Sequence, residues 1–241
     1  ELALQLLGKE PYQSIDPDWE HCINEDHEFA FDEAIAGCTH IIEHPDSNRW
    51  MIAGAFYYRA SRYEDEHQND LASLDLRGAA QIYARYIDED ARDGRAYNNR
   101  ASINARLENY DEALADYDHA ISLNNDYIAP YIGRAQTLFR RGDYAGAIDS
   151  YDRASRINAR NGGSGPEVYA GKCTARAAAR TDLEAARRFC DRAVRNSRSA
   201  PWALAARGYF RVMQGELDDA AADFARAIEV DPEIGAGACY G

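Results

Sequence analysis

Five cysteines, six histidines and a few acidic clusters are the side chains of this chain with chemistry beyond packing. His40 and His44 lie one helical turn apart, two residues beyond Cys38, with Glu43, His21 and His27 nearby. A helical pair supplies two metal ligands, and a zinc site takes three or four. No His-Glu-x-x-His string supplies the rest, so these histidines read as surface or packing residues. Asn161 to Gly165 is glycine-rich, but no strand precedes it and no Lys-Ser/Thr closes it, so it reads as a flexible insert rather than a phosphate cradle. Asp88, Glu89 and Asp90 are consecutive and splay around a helix end, where a catalytic acid and base would have to converge. No nucleophile stands out, and no cofactor or metal is implied.

Charge narrows the partners. The net charge is −14, and residues 1–93 hold 21 acids against 7 bases, while residues 152–198 hold 11 bases against 5 acids. The overall field repels phosphate, which argues against a nucleic-acid partner. No window approaches the roughly 20 apolar residues that span a bilayer. The chain begins at Glu1, and Leu2 to Gly8 is short for a signal-peptide core, so it reads as a processed or trimmed product, its signal peptide removed.

A repeat must position whatever site exists. Shifted by 34 residues, Tyr97 falls on Tyr131, Ala101 on Ala135, Tyr110 on Tyr144, Ala113 on Ala147, Tyr117 on Tyr151 and Ala120 on Ala154. A period of that length, carrying two runs of helical spacing, is the mark of stacked helix-turn-helix units. We number each repeat so that Ala101 is position 8 and Ala113 position 20. Small residues at 8, 20 and 27 let two helices approach, and aromatics at 4, 17 and 24 fill the space beside them. Glu108 to Asp111 is a polar link, and Gly142-Asp143 is the same turn with a helix-ending glycine.

These residues resemble the tetratricopeptide repeat, which implies an all-α, right-handed superhelical solenoid of antiparallel helix pairs. Two further copies follow a five-residue lengthening at Asn161 to Gly165: Thr174, Leu183, Ala186, Cys190 and Ala193, then Gly208, Leu217, Ala220, Phe224, Ala227 and Pro232. Backward, Phe56, Arg59 and Ala60 pair with Ala79, Tyr83 and Tyr86 across an expected acidic loop of about seven extra residues within Glu64 to Asp75. Trp19 and Cys22 pair with Ala34, Cys38 and Ile41. The expectation is one solenoid domain over 1–241 with about six repeats: irregular ones in 1–94, regular ones in 95–160 and 166–232, and a tail at 233–241. No capping helix is visible after the last repeat, which leaves self-association through the Phe224 end open.

In this register Cys22 and Cys38 face each other across one hairpin, and Cys173 and Cys190 across another. They are either two disulfides, which imply an oxidising compartment, or buried thiols standing in for alanine. The strings around them resemble secreted bacterial tetratricopeptide proteins, which implies a periplasmic or secreted location; the thiol reading leaves the cytoplasm. Cys239 is left over. Arg59, Arg100, Arg134 and Arg207 all occupy position 7, from which each can bond an acid at position 23, such as Asp116 or Asp223. Exposed pairs of this kind contribute about 0 to 1 kcal/mol.

The family resemblance implies that function lies on the concave, first-helix surface. There the candidates are Tyr57, Tyr58, Asn98, Asn99, Ser102, Ile132, Gln136, Phe139, Arg140, Lys172, Trp202, Tyr209 and Met213. Aromatics beside amides can hold an extended peptide. Asn98, Asn99 and Lys172 match only part of the family's carboxylate clamp, so that activity is not carried over. The reading is a non-catalytic scaffold for a protein or peptide partner. The alternatives are a metal-dependent accessory or catalytic unit using the first-repeat His and Cys residues, and a self-assembling module.

Overall fold

The first helix of each described hairpin is followed within two residues by a left-handed residue, which turns the chain back onto the second, whereas second helices such as those ending before Asp90 and Asn124 close on extended residues. The computed structural model describes residues 17–24, 29–44, 47–161 and 165–231. Among them are twelve helices and no strand, in two units, Glu1–Asn124 and Asn125–Gly241. The first unit holds α1 (Pro17–Ile23), α2 (Phe31–Glu43), α3 (Arg49–Asp65), α4 (Asn69–Glu89), α5 (Gly94–Arg106) and α6 (Tyr110–Leu123). The second holds α7 (Ile128–Arg140), α8 (Tyr144–Arg160), α9 (Pro166–Ala179), α10 (Leu183–Asn196), α11 (Pro201–Gln214) and α12 (Leu217–Val230). Successive helices pair as six antiparallel hairpins, and within each unit the hairpins stack on one another. The tail, Cys239, Pro232, His27 and Gly162 to Ser164 lie outside the described residues.

The turn inside the hairpin recurs with different residues. His67, Glu108, Gly142 and Gly215 stand at the same repeat position with φ of 58°, 61°, 85° and 79°. The amide that follows each reaches back five residues, as in Asn109 to the Asn104 carbonyl (2.8 Å) and Asp143 to the Leu138 carbonyl (2.9 Å). That bond satisfies a carbonyl that the helix end would orphan. Asp143 then caps α8 through the Gly146 amide at 2.9 Å, and Asp182 caps α10 through the Ala185 amide at 3.1 Å.

Small residues bring the paired helices together as the spacing requires. Ala101, Ala113, Ala120, Ala135, Ala147 and Ala154 are all fully buried. Large rings lie over the small positions: a Cβ on Gly208 would sit 2.7 Å from the Phe224 ring, and one on Gly171 2.1 Å from that of Tyr151. Phe224 is therefore turned back into its own hairpin. Burial pushes the Tyr151 hydroxyl up to about 12.

Every hairpin is tied across its two helices by residues 16 or 17 apart. Arg59 holds Asp75 with two bonds of 2.7 and 2.8 Å. Arg100 holds Asp116 with two of 2.7 Å, and Arg207 holds Asp223 with 2.9 and 2.7 Å. Arg134 bonds the Ser150 hydroxyl at 2.7 Å. In the first and fifth hairpins cysteines replace these partners: the sulfurs of Cys22 and Cys38 lie 2.07 Å apart, and those of Cys173 and Cys190 2.00 Å. The carboxylates are buried, with Asp75 3%, Asp116 7% and Asp223 4% exposed, so these are not the surface pairs the sequence suggests.

The second hairpin corrects the sequence register. The seven extra residues form no loop: α3 runs to Asp65, α4 starts at Asn69, and α4 is 21 residues long against 14 for α6. Asp75, bonded to Arg59 as Asp116 is to Arg100, shows that Ala72, Leu76 and Ala79 occupy the positions expected for Ala79, Tyr83 and Tyr86. The extra residues are two turns at the end of α4. They pack on the start of α3, where Trp50 meets the Tyr83 and Tyr86 rings at 5.1 and 4.8 Å and Arg49 bonds Glu89 at 2.7 Å. Seven residues fall within about 20° of two whole turns, so a slip of seven leaves the apolar face unchanged.

Removing one partner of a buried tie strands a charge, whereas replacing both does not. Asp75→Ala should lower stability in urea unfolding by about 2–4 kcal/mol, and Ser150→Ala by about 1 kcal/mol. The double change Arg59→Met with Asp75→Leu should recover most of the first loss.

A candidate peptide-binding surface

In the first unit the first helices of three successive hairpins present one row of rings. Trp19 of α1 meets Tyr58 of α3 edge-on at 5.9 Å, and Tyr58 meets Tyr57 edge-on at 5.8 Å. The Arg106 guanidinium, at the end of α5, covers the Tyr57 ring at 4.5 Å. Arg106 is held there by Glu64 at 2.7 Å and by the Ser61 hydroxyl at 3.3 Å. All four residues of the row are half-buried; Trp19 and Tyr58 pack on the Cys22 and Cys38 cluster and Tyr57 on the cluster of Leu76 and Tyr83, and part of each stays at the surface. Arg106 is absent from the candidates named from sequence, although it holds the same repeat position as Arg140; Trp19 sits in the least regular repeat.

The amides behind the row are turned inward. Asn98 and Asn99 are buried, and the Asn98 amide donates to the Asn99 side-chain oxygen at 3.2 Å. Asn99 also bonds the Tyr83 hydroxyl, which burial pushes far above the usual tyrosine range although that bond works the other way. The Ser102 hydroxyl is paired with that of Tyr117 at 3.0 Å. These three groups fix the helices rather than offering free hydrogen bonds.

In the second unit, α7 carries Ile132, Gln136, Phe139 and Arg140 at spacings of four, three and one, on one face. Gln136 and Arg140 are exposed, Ile132 is half-buried, and Phe139 leans on Tyr144 at 5.3 Å. On α11, Trp202, Tyr209 and Met213 share a face about 16 Å long. Trp202 and Met213 are each 36% exposed, while Tyr209 packs against the Cys173 and Cys190 cluster.

Lys172 is buried and turned toward the second helices. Its ammonium lies 2.9 Å from Asp152 of α8 and 4.1 Å from the centre of the Phe189 ring of α10. Arg176 reaches the other Asp152 oxygen at 3.1 Å. Burial works to raise the Asp152 carboxyl, but the Lys172 bond and the two cationic charges outweigh it and hold the group below its ordinary 3.8.

Among the described residues no three His, Cys, Asp or Glu side chains converge as metal ligands. His40 bonds Asp18 at 2.5 Å and meets the His44 ring edge-on at 5.3 Å. Among the described residues no helix is long and apolar enough to cross a membrane.

The sequence model of the tetratricopeptide repeat matches residues 94–127, which begin at α5 and run past the end of α6. The fold is the tetratricopeptide repeat. A tetratricopeptide-repeat protein of Methanocaldococcus jannaschii is 30% identical over 112 residues, 45% of this chain and 19% of that protein. Human serine/threonine-protein phosphatase 5 is 26% identical over 99 residues, 41% of this chain and 20% of that enzyme. The chain thus spans about a fifth of the length of these curated relatives. Among solved structures, a thermophilic tetratricopeptide protein of Thermus thermophilus superposes with a TM-score of 0.58 at 18% identity, covering 75% of this chain and 92% of that one. YrrB, described as a tetratricopeptide protein with an unusual peptide-binding site, gives 0.50 at 16% identity over 81% and 92%. Likeness at such identities is one of fold. Tetratricopeptide first helices carry the row of rings described above.

A carboxyl held below its ordinary value in the folded chain adds stability that is complete above the unfolded value and is lost as pH falls through the folded one. Thermal melts of wild type and Asp152→Asn should therefore differ most near about pH 7 and converge only as the pH falls well below the ordinary value of 3.8.

Proposed function

We propose that this chain is a non-catalytic scaffold that holds a peptide or protein segment along its first helices. The observation that carries the reading is the row of Trp19, Tyr58, Tyr57 and Arg106, in which partly exposed rings stand next to a cation already fixed in place. Rings of this kind bury large area with little loss of side-chain freedom, and a positioned guanidinium can take a carboxylate or a backbone carbonyl. Trp202, Tyr209 and Met213 offer the same chemistry in the second unit, beside Ile132, Gln136, Phe139 and Arg140. Asn98, Asn99 and Lys172 serve from behind as supports. The peptide-binding site ascribed to YrrB, on the same fold, agrees with this use.

The reading includes an oxidising location, periplasmic or secreted, with Cys22 bonded to Cys38 and Cys173 to Cys190. The Cα atoms of the pairs lie 4.5 and 5.1 Å apart, a span that a disulfide bridges without moving the backbone. Closing loops of this length contributes about 3 kcal/mol each.

Two measurements test the two parts. Crosslinked partners recovered from an envelope fraction by wild type should be lost from a Tyr58→Ala, Trp202→Ala, Tyr209→Ala variant of unchanged helicity; equal recovery by both removes the first-helix surface from the proposal. Intact mass after alkylation without reductant should show four protected cysteines and one reactive one, and five reactive thiols would place the chain in a reducing compartment.

A further inference from the structure

A cleft of about 490 Å³ lies between the start of α7 and the carboxy-terminal half of α8, within the size range of ligand sites. Arg153, Arg156 and Arg160 line it from α8, at spacings of three and four that put them on one face. Tyr131 and Ile157 form its apolar wall, and Asp126 stands at its rim. Arg160 is bonded to Asp126 at 2.5 Å, which pairs the one acid of the cleft with one of its three cations. The exposed side chains of Arg153 and Arg156 have no hydrogen bond or ion pair among the described residues. In the next hairpin the corresponding arginine, Arg192, covers the Tyr169 ring at 4.3 Å, whereas Arg153 is not engaged in that way. The Tyr131 hydroxyl donates to the Asn125 carbonyl at 3.3 Å, which fixes the ring as a wall.

We propose that this cleft binds an acidic peptide segment. Two carboxylates meet Arg153 and Arg156, and an apolar side chain between them lies against Tyr131 and Ile157. Guanidinium groups take carboxylate and phosphate alike in paired bonds. The apolar wall favours the carboxylate, since a peptide brings an apolar side chain to it and a phosphate does not. The cleft shares no residue with the first-helix surface, so failure of either proposal leaves the other standing.

The test titrates a fluorescein-labelled Asp-Glu-Phe-Glu-Asp peptide with the full chain and follows anisotropy. Saturable binding should weaken at least about tenfold in Arg153→Glu with Arg156→Glu, and several-fold in the milder Arg153→Gln with Arg156→Gln, while Arg226→Glu on α12 leaves it unchanged. The glutamine pair serves as the reading if circular dichroism shows the glutamate pair misfolded. Equal binding by both double variants, equal weakening by Arg226→Glu, or no saturation in wild type would overturn the proposal. Displacement of the peptide by inorganic phosphate at matched ionic strength would assign the cleft to phosphate and overturn it as well.

Discussion

In four of the six described hairpins an arginine of the first helix is bonded to a side chain of the second, and in the other two a facing pair of cysteines stands in its place. Two helices of about fourteen residues cannot bury enough apolar surface alone to hold one geometry, and alanine contacts by themselves permit sliding. A two-point Arg–carboxylate bond removes that freedom because both atoms of the fork must be met at once. Its cost is the desolvation of two charges, met here by placing Asp75, Asp116 and Asp223 where the guanidinium satisfies both oxygens. The arginines also look outward from their own hairpin: Arg59 bonds Thr39 at 2.8 Å, and Arg207 reaches Asp191 at 3.3 Å. One side chain thereby fixes both the hairpin and its seating on the one before it.

Exposure along the first helices follows what each side chain meets in the hairpin before it. Tyr58, Asn99 and Lys172 share position 6, next to the tie: Asn99 bonds Tyr83 and Lys172 bonds Asp152, and both are buried, whereas Tyr58 meets the Trp19 ring and stays half-buried. Tyr57 and Asn98 hold the same repeat position yet differ in exposure: Tyr57 is half-buried beneath Arg106, and Asn98 is buried with its amide on Asn99.

Helix type, hairpin pairing and the cysteine partners were legible because each depends on spacing within about 35 residues. Ala101, Ala113 and Ala120 announce a close approach of helices, and Arg100 with Asp116 announces the tie. The slip in the second hairpin shows where spacing fails. Seven residues return an α-helix almost to the same face, so Ala79, Tyr83 and Tyr86 imitate Ala72, Leu76 and Ala79, and only the polar partner of Arg59 separates them. Burial of Asn98, Asn99 and Lys172 was not legible either, since their partners, Tyr83 and Asp152, belong to the preceding hairpin. The Arg153 and Arg156 cleft needed the chain ahead of α7 to be placed before it could be recognised.

The closing bond is interchangeable in kind. Arginine with aspartate, arginine with serine, and cysteine with cysteine fill one structural role at nearly one spacing, and the buried alanine at position 20 (Ala34, Ala72, Ala113, Ala147, Ala186 and Ala220) is kept whichever is used. Each helix pair is in that sense a cassette with a clasp of its own.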